Sequence, residues 1–84
     1  MKVYLLPQAE VELGGIADPL FSKIVHKLEL LGSFPLLGPA LEGPLTGYRA
    51  LTMGLFRVIY RIVREERIEV AYIRHCKRKL IGSA

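Results

Sequence analysis

Leu55-Phe56-Arg57-Val58-Ile59-Tyr60-Arg61-Ile62-Val63-Arg64 is a run of β-branched, aromatic and arginine side chains with a period of two. Such a run suits a pleated strand, because successive side chains on a strand point to opposite faces. Alternation places Phe56, Val58, Tyr60 and Ile62 on one face and Leu55, Arg57, Ile59, Arg61 and Val63 on the other. The first set can receive a packed layer. The second carries two arginines among aliphatics, which a fully buried face would not tolerate without partners, so this side is expected to line a groove or lie under a bound segment.

Moving outward, residues 48–53 and 67–74 show the same strand character and are joined to the central run by tight connections at Gly54 and at Glu65-Glu66. Three strands so connected predict an antiparallel meander. Upstream, residues 34–44 contain Pro35, Gly38, Pro39, Gly43 and Pro44, too many breakers for regular structure, yet the stretch is too apolar for a loose linker; it is expected to be an ordered connection. Asp18-Pro19 predicts a helix start, the carboxylate capping free N–H groups and the proline taking the first helical position. Phe21, Ile24, Val25, Leu28 and Leu31 then form an apolar stripe opposite Lys23, Lys27 and Glu29, with Gly32 as the stop. His26, between stripe and polar face, is read as a surface residue. Residues 8–13 predict a brief helix with Ala9 and Leu13 on one side, ended by Gly14-Gly15, and residues 2–6 predict a first strand stopped by Pro7. The expected fold class is α+β in the order β-α-α-β-β-β: a mainly antiparallel four-stranded sheet, two N-terminal helices packed on one face and a basic groove on the other.

A chain of 84 residues suffices for one core, so a single domain spanning 1–84 is expected. No apolar run approaches the roughly 20 residues that cross a bilayer, and Glu10 and Glu12 interrupt the N-terminal segment before a secretion signal can form; a soluble, cytoplasmic protein without membrane contact is expected. Cys76 is the single cysteine, which rules out an internal disulfide and a multi-cysteine metal cage. Its pairing with His75 as a nucleophile is disfavoured, since adjacent strand residues face apart. Charge is unevenly spread. Residues 1–42 hold three lysines against five acids, a net of −2, whereas residues 43–84 hold nine basic residues against three acids, a net of +6. The basic half favours an anionic partner, either nucleic acid or an acidic protein segment.

From Gly47 onward, three segments stand in order: Gly47-Tyr48-Arg49-Ala50-Leu51, Phe56-Arg57-Val58-Ile59-Tyr60-Arg61-Ile62, and Ile68-Glu69-Val70-Ala71-Tyr72-Ile73-Arg74-His75. This pattern of a Gly-aromatic-Arg strand, an aromatic-Arg-Val-Ile-Tyr strand and a last strand ending near a histidine and basic residues resembles the RelE/ParE toxin superfamily. With the preceding strand and helices, the resemblance covers nearly the whole chain. It implies a RelE-like fold, no cofactor and no metal, and a cognate antitoxin that wraps and neutralises the toxin in a hetero-oligomer. One branch of the superfamily cleaves messenger RNA in the ribosomal A site; the other poisons DNA gyrase without chemistry of its own.

In metal-free cleavage a 2′-OH attacks its own phosphate, and guanidinium groups answer the charge that builds on the phosphoryl oxygens. The resemblance assigns Arg57 and Arg78 to that phosphate. It assigns His75, an imidazole able to exchange a proton near neutral pH, to acid–base transfer. Arg49 stands where the ribonuclease branch often has a basic residue, and Arg61, Lys77 and Lys79 complete the candidate nucleic-acid contacts. Arg57 and Arg61 have a second reading as partners of acidic antitoxin side chains or as solvated cover with their stems packed down. The tail Lys79-Leu80-Ile81-Gly82-Ser83-Ala84 lacks the tyrosine common in ribonuclease members. The expected activity is therefore ribosome-dependent messenger RNA cleavage, with gyrase poisoning or a toxin fold without activity as the alternatives.

Overall fold

The structure, a computed structural model, describes residues 1–64 and 66–75. Strand β1 (Lys2–Leu5) leads into helix α1 (Pro7–Gly14) and helix α2 (Leu20–Ser33). A long connection containing one 3₁₀ turn (Gly43–Leu45) then reaches β2 (Arg49–Met53), β3 (Phe56–Val63) and β4 (Arg67–His75). The four strands form one sheet in the order β1-β4-β3-β2. β2, β3 and β4 are the expected antiparallel meander, while β1 joins the β4 edge in parallel, so the sheet is mixed. β1 and β2 thus run in the same direction at opposite edges. A chain that returns in the same direction must cross a face of the sheet, which is the path the two helices take.

Both helices start for local reasons. Pro7 opens α1, where its missing N–H costs nothing. α2 begins one residue later than the Asp18-Pro19 signal implies, with Pro19 at the cap position; Asp18 Oδ1 still accepts the Ser22 backbone N–H at 3.0 Å and its hydroxyl at 2.6 Å. Gly32 does not end α2, which runs on to Ser33. Its lack of a side chain serves packing instead, since a Cβ there would lie 2.8 Å from the Met1 carbonyl oxygen. Phe21 is exposed, and the buried stripe of α2 is Ile24, Leu28 and Leu31 with Leu20 and Val25 alongside.

That stripe meets Ala9 and Leu13 of α1 and the inner face of the sheet: Leu51, Val58, Tyr60, Ile68, Val70 and Ile73. Tyr60, Ile24, Leu31, Ile68, Val58 and Val70 are fully enclosed, and each is worth roughly 1.5–3 kcal/mol of apolar burial. The connection ahead of β2 is ordered, as its composition predicts. It lies along the free edge of β2, where the Ala50 N–H donates to the Pro39 carbonyl at 3.1 Å and the Leu41 N–H to the Tyr48 carbonyl at 2.9 Å. The Tyr60 hydroxyl, at the end of the core, donates to the Pro35 carbonyl at 2.7 Å and accepts the Gly38 N–H at 3.0 Å. No described helix is long and apolar enough to cross a membrane.

Candidate nucleic-acid interface

β3 alternates as its sequence dictates: Val58 and Tyr60 enter the core, and Arg57, Ile59 and Arg61 occupy the outer face, away from the helices. Cross-strand register carries the face assignment to the neighbours, because directly paired residues share a side. Arg57 pairs with Thr52 of β2 and Arg74 of β4, Ile59 with Ala50 and Tyr72, and Arg61 with Glu69. On the far edge Tyr4 of β1 pairs with Glu69, placing its ring on the same side.

β4 departs from simple alternation. Tyr60 pairs with Val70 and Ile59 with Tyr72, so Ala71 is one residue too many and the strand bulges there. A bulge resets which residues face which way. Strict alternation from Ile68 and Val70 would send Tyr72 and Arg74 into the core and Ile73 and His75 outward. Beyond the bulge the opposite holds: Ile73 is buried, Tyr72 and Arg74 are exposed on the outer face, and His75 lies on the inner side, half-buried, its ring edge-on to Phe56 at 4.9 Å.

The outer face is consequently a lattice of arginines and tyrosines. The Arg61 guanidinium carbon lies 5.8 Å from the centroid of the Tyr48 ring, Arg67 5.5 Å from Tyr4, and Arg74 4.3 Å from Tyr72. Most of these cations already have a carboxylate. Glu69 accepts from Arg61 Nη2 at 3.0 Å and lies 3.1 Å from Arg67 Nη2. Arg74 Nε lies 3.4 Å from Glu12 of α1. Glu12 is itself an anchor: its Oε1 accepts the Ile73 backbone N–H at 2.7 Å, past the end of β1, where the edge of β4 opposite β3 has no strand along it.

Arg57 differs from its neighbours. It is half-buried near the start of β3, and its guanidinium has no carboxylate, carbonyl or ring partner among the described residues. A partly desolvated guanidinium on an inner strand of the sheet, with donors unspent among the described residues, has the chemistry to bind an anion. Beside it Ile59 is only 7% exposed although the helices pack on the other side, which fits arginine stems lying over it.

The expected site residues therefore separate. Arg57 and Arg61 occupy the outer face as read, although Arg61 is shared with Glu69. Arg49 does not belong there: it pairs with Tyr60 and its Nε donates to the Gly38 carbonyl at 2.6 Å, clamping the long connection. His75 does not join Arg57 either, because the bulge turns it to the opposite face. Arg78, Lys77 and Lys79, with Cys76, lie outside the described residues. Among those described, no cluster of His, Cys, Asp and Glu is placed to hold a metal ion. Tyr72, Arg74 and Glu12 were missed by the sequence reading. A signal for the first two was present, since strict alternation would have buried Arg74 beside Ile68 and Val70 while exposing Ile73.

Comparison with solved structures supports the fold. The chain is similar to the RelBE2 toxin–antitoxin complex from Mycobacterium tuberculosis, at 23% identity and a TM-score of 0.81 over 88% of this chain and 95% of that one. It is also similar to a YoeB/ParE toxin from Agrobacterium tumefaciens, at 20% identity and a TM-score of 0.77 over 89% and 98%. A third similarity is to the intact E. coli RelBE toxin–antitoxin complex, at 12% identity and a TM-score of 0.74 over 88% and 94%. No curated protein sequence matches the chain. The family model described as the ParE toxin of the type II toxin–antitoxin system parDE matches residues 3–80, and with nearly its whole length so matched, the chain belongs to that toxin family, within the RelE/ParE superfamily.

Proposed function

We propose that this toxin acts on messenger RNA at the ribosome as a metal-free endoribonuclease, with the outer face of its sheet as the RNA-binding surface. The observation that carries the reading is Arg57, half-buried and without a partner among the described residues, on the same face as the arginine–tyrosine pairs. Arginine answers phosphate charge, and tyrosine rings offer stacking surfaces to unpaired bases. In the attack of a 2′-OH on the adjacent phosphate, the Arg57 guanidinium stabilises the charge gathering on the phosphoryl oxygens. Arg78 is proposed as a second phosphate contact. The proton-transfer role expected of His75 is not proposed for the same site, because the imidazole and Arg57 stand on opposite faces.

An antitoxin is the proposed protein partner; two of the similar solved structures are complexes of a toxin with its antitoxin. Exposed Phe34, Leu36 and Leu37 on the connection are apolar surface for such a partner to cover.

The position of His75 favours a second reading, a gyrase poison that uses the arginine face to bind without chemistry. Adding the purified toxin to a bacterial translation extract and mapping message ends by primer extension separates the two. The first reading predicts cuts in ribosome-bound message, reduced at least about 100-fold in Arg57→Ala, as for loss of a charge-stabilising donor. Intact message, with trapped gyrase–DNA complexes in a parallel supercoiling assay, would establish the second.

A further inference from the structure

Tyr72 is 37% exposed on the outer face, whereas Tyr60, the other tyrosine within the meander strands, is wholly enclosed and bonded to the connection. The difference is made by the bulge at Ala71, which turns Tyr72 out and leaves room in the core for Ile73. One side of the Tyr72 ring is occupied by the Arg74 guanidinium at 4.3 Å, and Arg74 is held in turn by Glu12 of α1 at 3.4 Å. The ring is thus braced from behind while part of its surface stays exposed. In the register, Tyr72 pairs with Ile59 and Arg74 with Arg57, so Tyr72 and Arg57 are diagonal neighbours on one face, about 7–8 Å apart by ordinary sheet geometry.

We propose that Tyr72 and Arg57 together form a binding unit for one unpaired nucleotide of the RNA, Arg57 taking a phosphate and the free side of the Tyr72 ring stacking against a base. Arg74 acts as a positioning residue that fixes the ring. This rests on the RNA reading above and adds to it a particular base contact. Every base has a π face, so the contact selects single-stranded over paired RNA and not one sequence over another. The bulge is then a functional element: without it the strand would present Ile73 where the stacking surface now stands.

The test is fluorescence anisotropy at low salt, with the chemically synthesised chain and a labelled single-stranded RNA hexamer carrying 2′-O-methyl groups to block cleavage. An abasic hexamer of the same charge is measured beside it. Tyr72→Ala should weaken hexamer binding about ten-fold and leave abasic binding unchanged, Tyr72→Phe should bind as the parent, and Arg57→Ala should weaken both ligands. If Tyr72→Ala binds the hexamer as tightly as the parent while Arg57→Ala does not, the stacking proposal is overturned and the RNA reading survives. If the parent binds neither ligand, the nucleotide unit is overturned, while the RNA reading stands or falls with the translation-extract assay.

Discussion

Arg57 and Tyr60, three residues apart on one strand, show how alternation sorts a sequence into chemistry and architecture. Arg57 faces outward, and its replacement removes no bond among the described residues. Arg57→Ala should shift unfolding free energy by less than about 1 kcal/mol in urea titration, mainly through lost cover over Ile59, while abolishing toxicity. Tyr60 faces inward, and its hydroxyl closes the core by joining Pro35 and Gly38. Tyr60→Phe should cost about 1–3 kcal/mol in the same titration, because the buried Gly38 N–H and the part-buried Pro35 carbonyl lose their partner. Glu12 belongs with Tyr60, as its carboxylate satisfies the Ile73 N–H that no strand reaches. Glu12→Ala should cost a similar amount, and amide exchange at Ile73 should quicken selectively.

At the scale of elements, the connection and the β4 bulge decide what the face looks like. Gly38 sits so close to β2 that a Cβ would stand 2.6 Å from the Ala50 carbonyl oxygen. Gly38→Ala should push the connection off the edge and lower stability by about 1–3 kcal/mol, as for other overpacked sites, with the thermal midpoint as the readout. The strands, both helices and the inner face of β3 were legible from period and punctuation alone, since Pro7, Gly14-Gly15, Asp18-Pro19 and Gly54 act locally. The parallel pairing of β1 was not, because strand order is set by tertiary packing. Nor was the face of β4 beyond Ala71. One surplus residue reverses every side chain after it, which took His75 away from Arg57 and brought Tyr72 and Arg74 to it. Arg49 was misplaced for a related reason: its role depends on the carbonyl of Gly38, a contact made by a loop whose path no periodicity reveals.

For the whole molecule, the uneven charge read from the sequence becomes a two-sided domain. Helices and apolar residues occupy one side of the sheet, and arginines with tyrosines occupy the other. A face that works by phosphate contact must be salt-dependent. RNA affinity should fall linearly on a log–log plot against salt, and Arg57→Ala should make the slope shallower by about 0.7, the share of one phosphate on a single strand. The central claim, that this face turns the toxin against messenger RNA, is tested most directly in cells. The toxin is induced in a bacterial host, and incorporation of labelled amino acid and labelled thymidine is followed over the first minutes, with Arg57→Ala beside it. The account predicts an early collapse of translation with DNA synthesis intact, and normal growth of the Arg57→Ala strain. Early loss of DNA synthesis, or an Arg57→Ala variant as toxic as the parent, would contradict it.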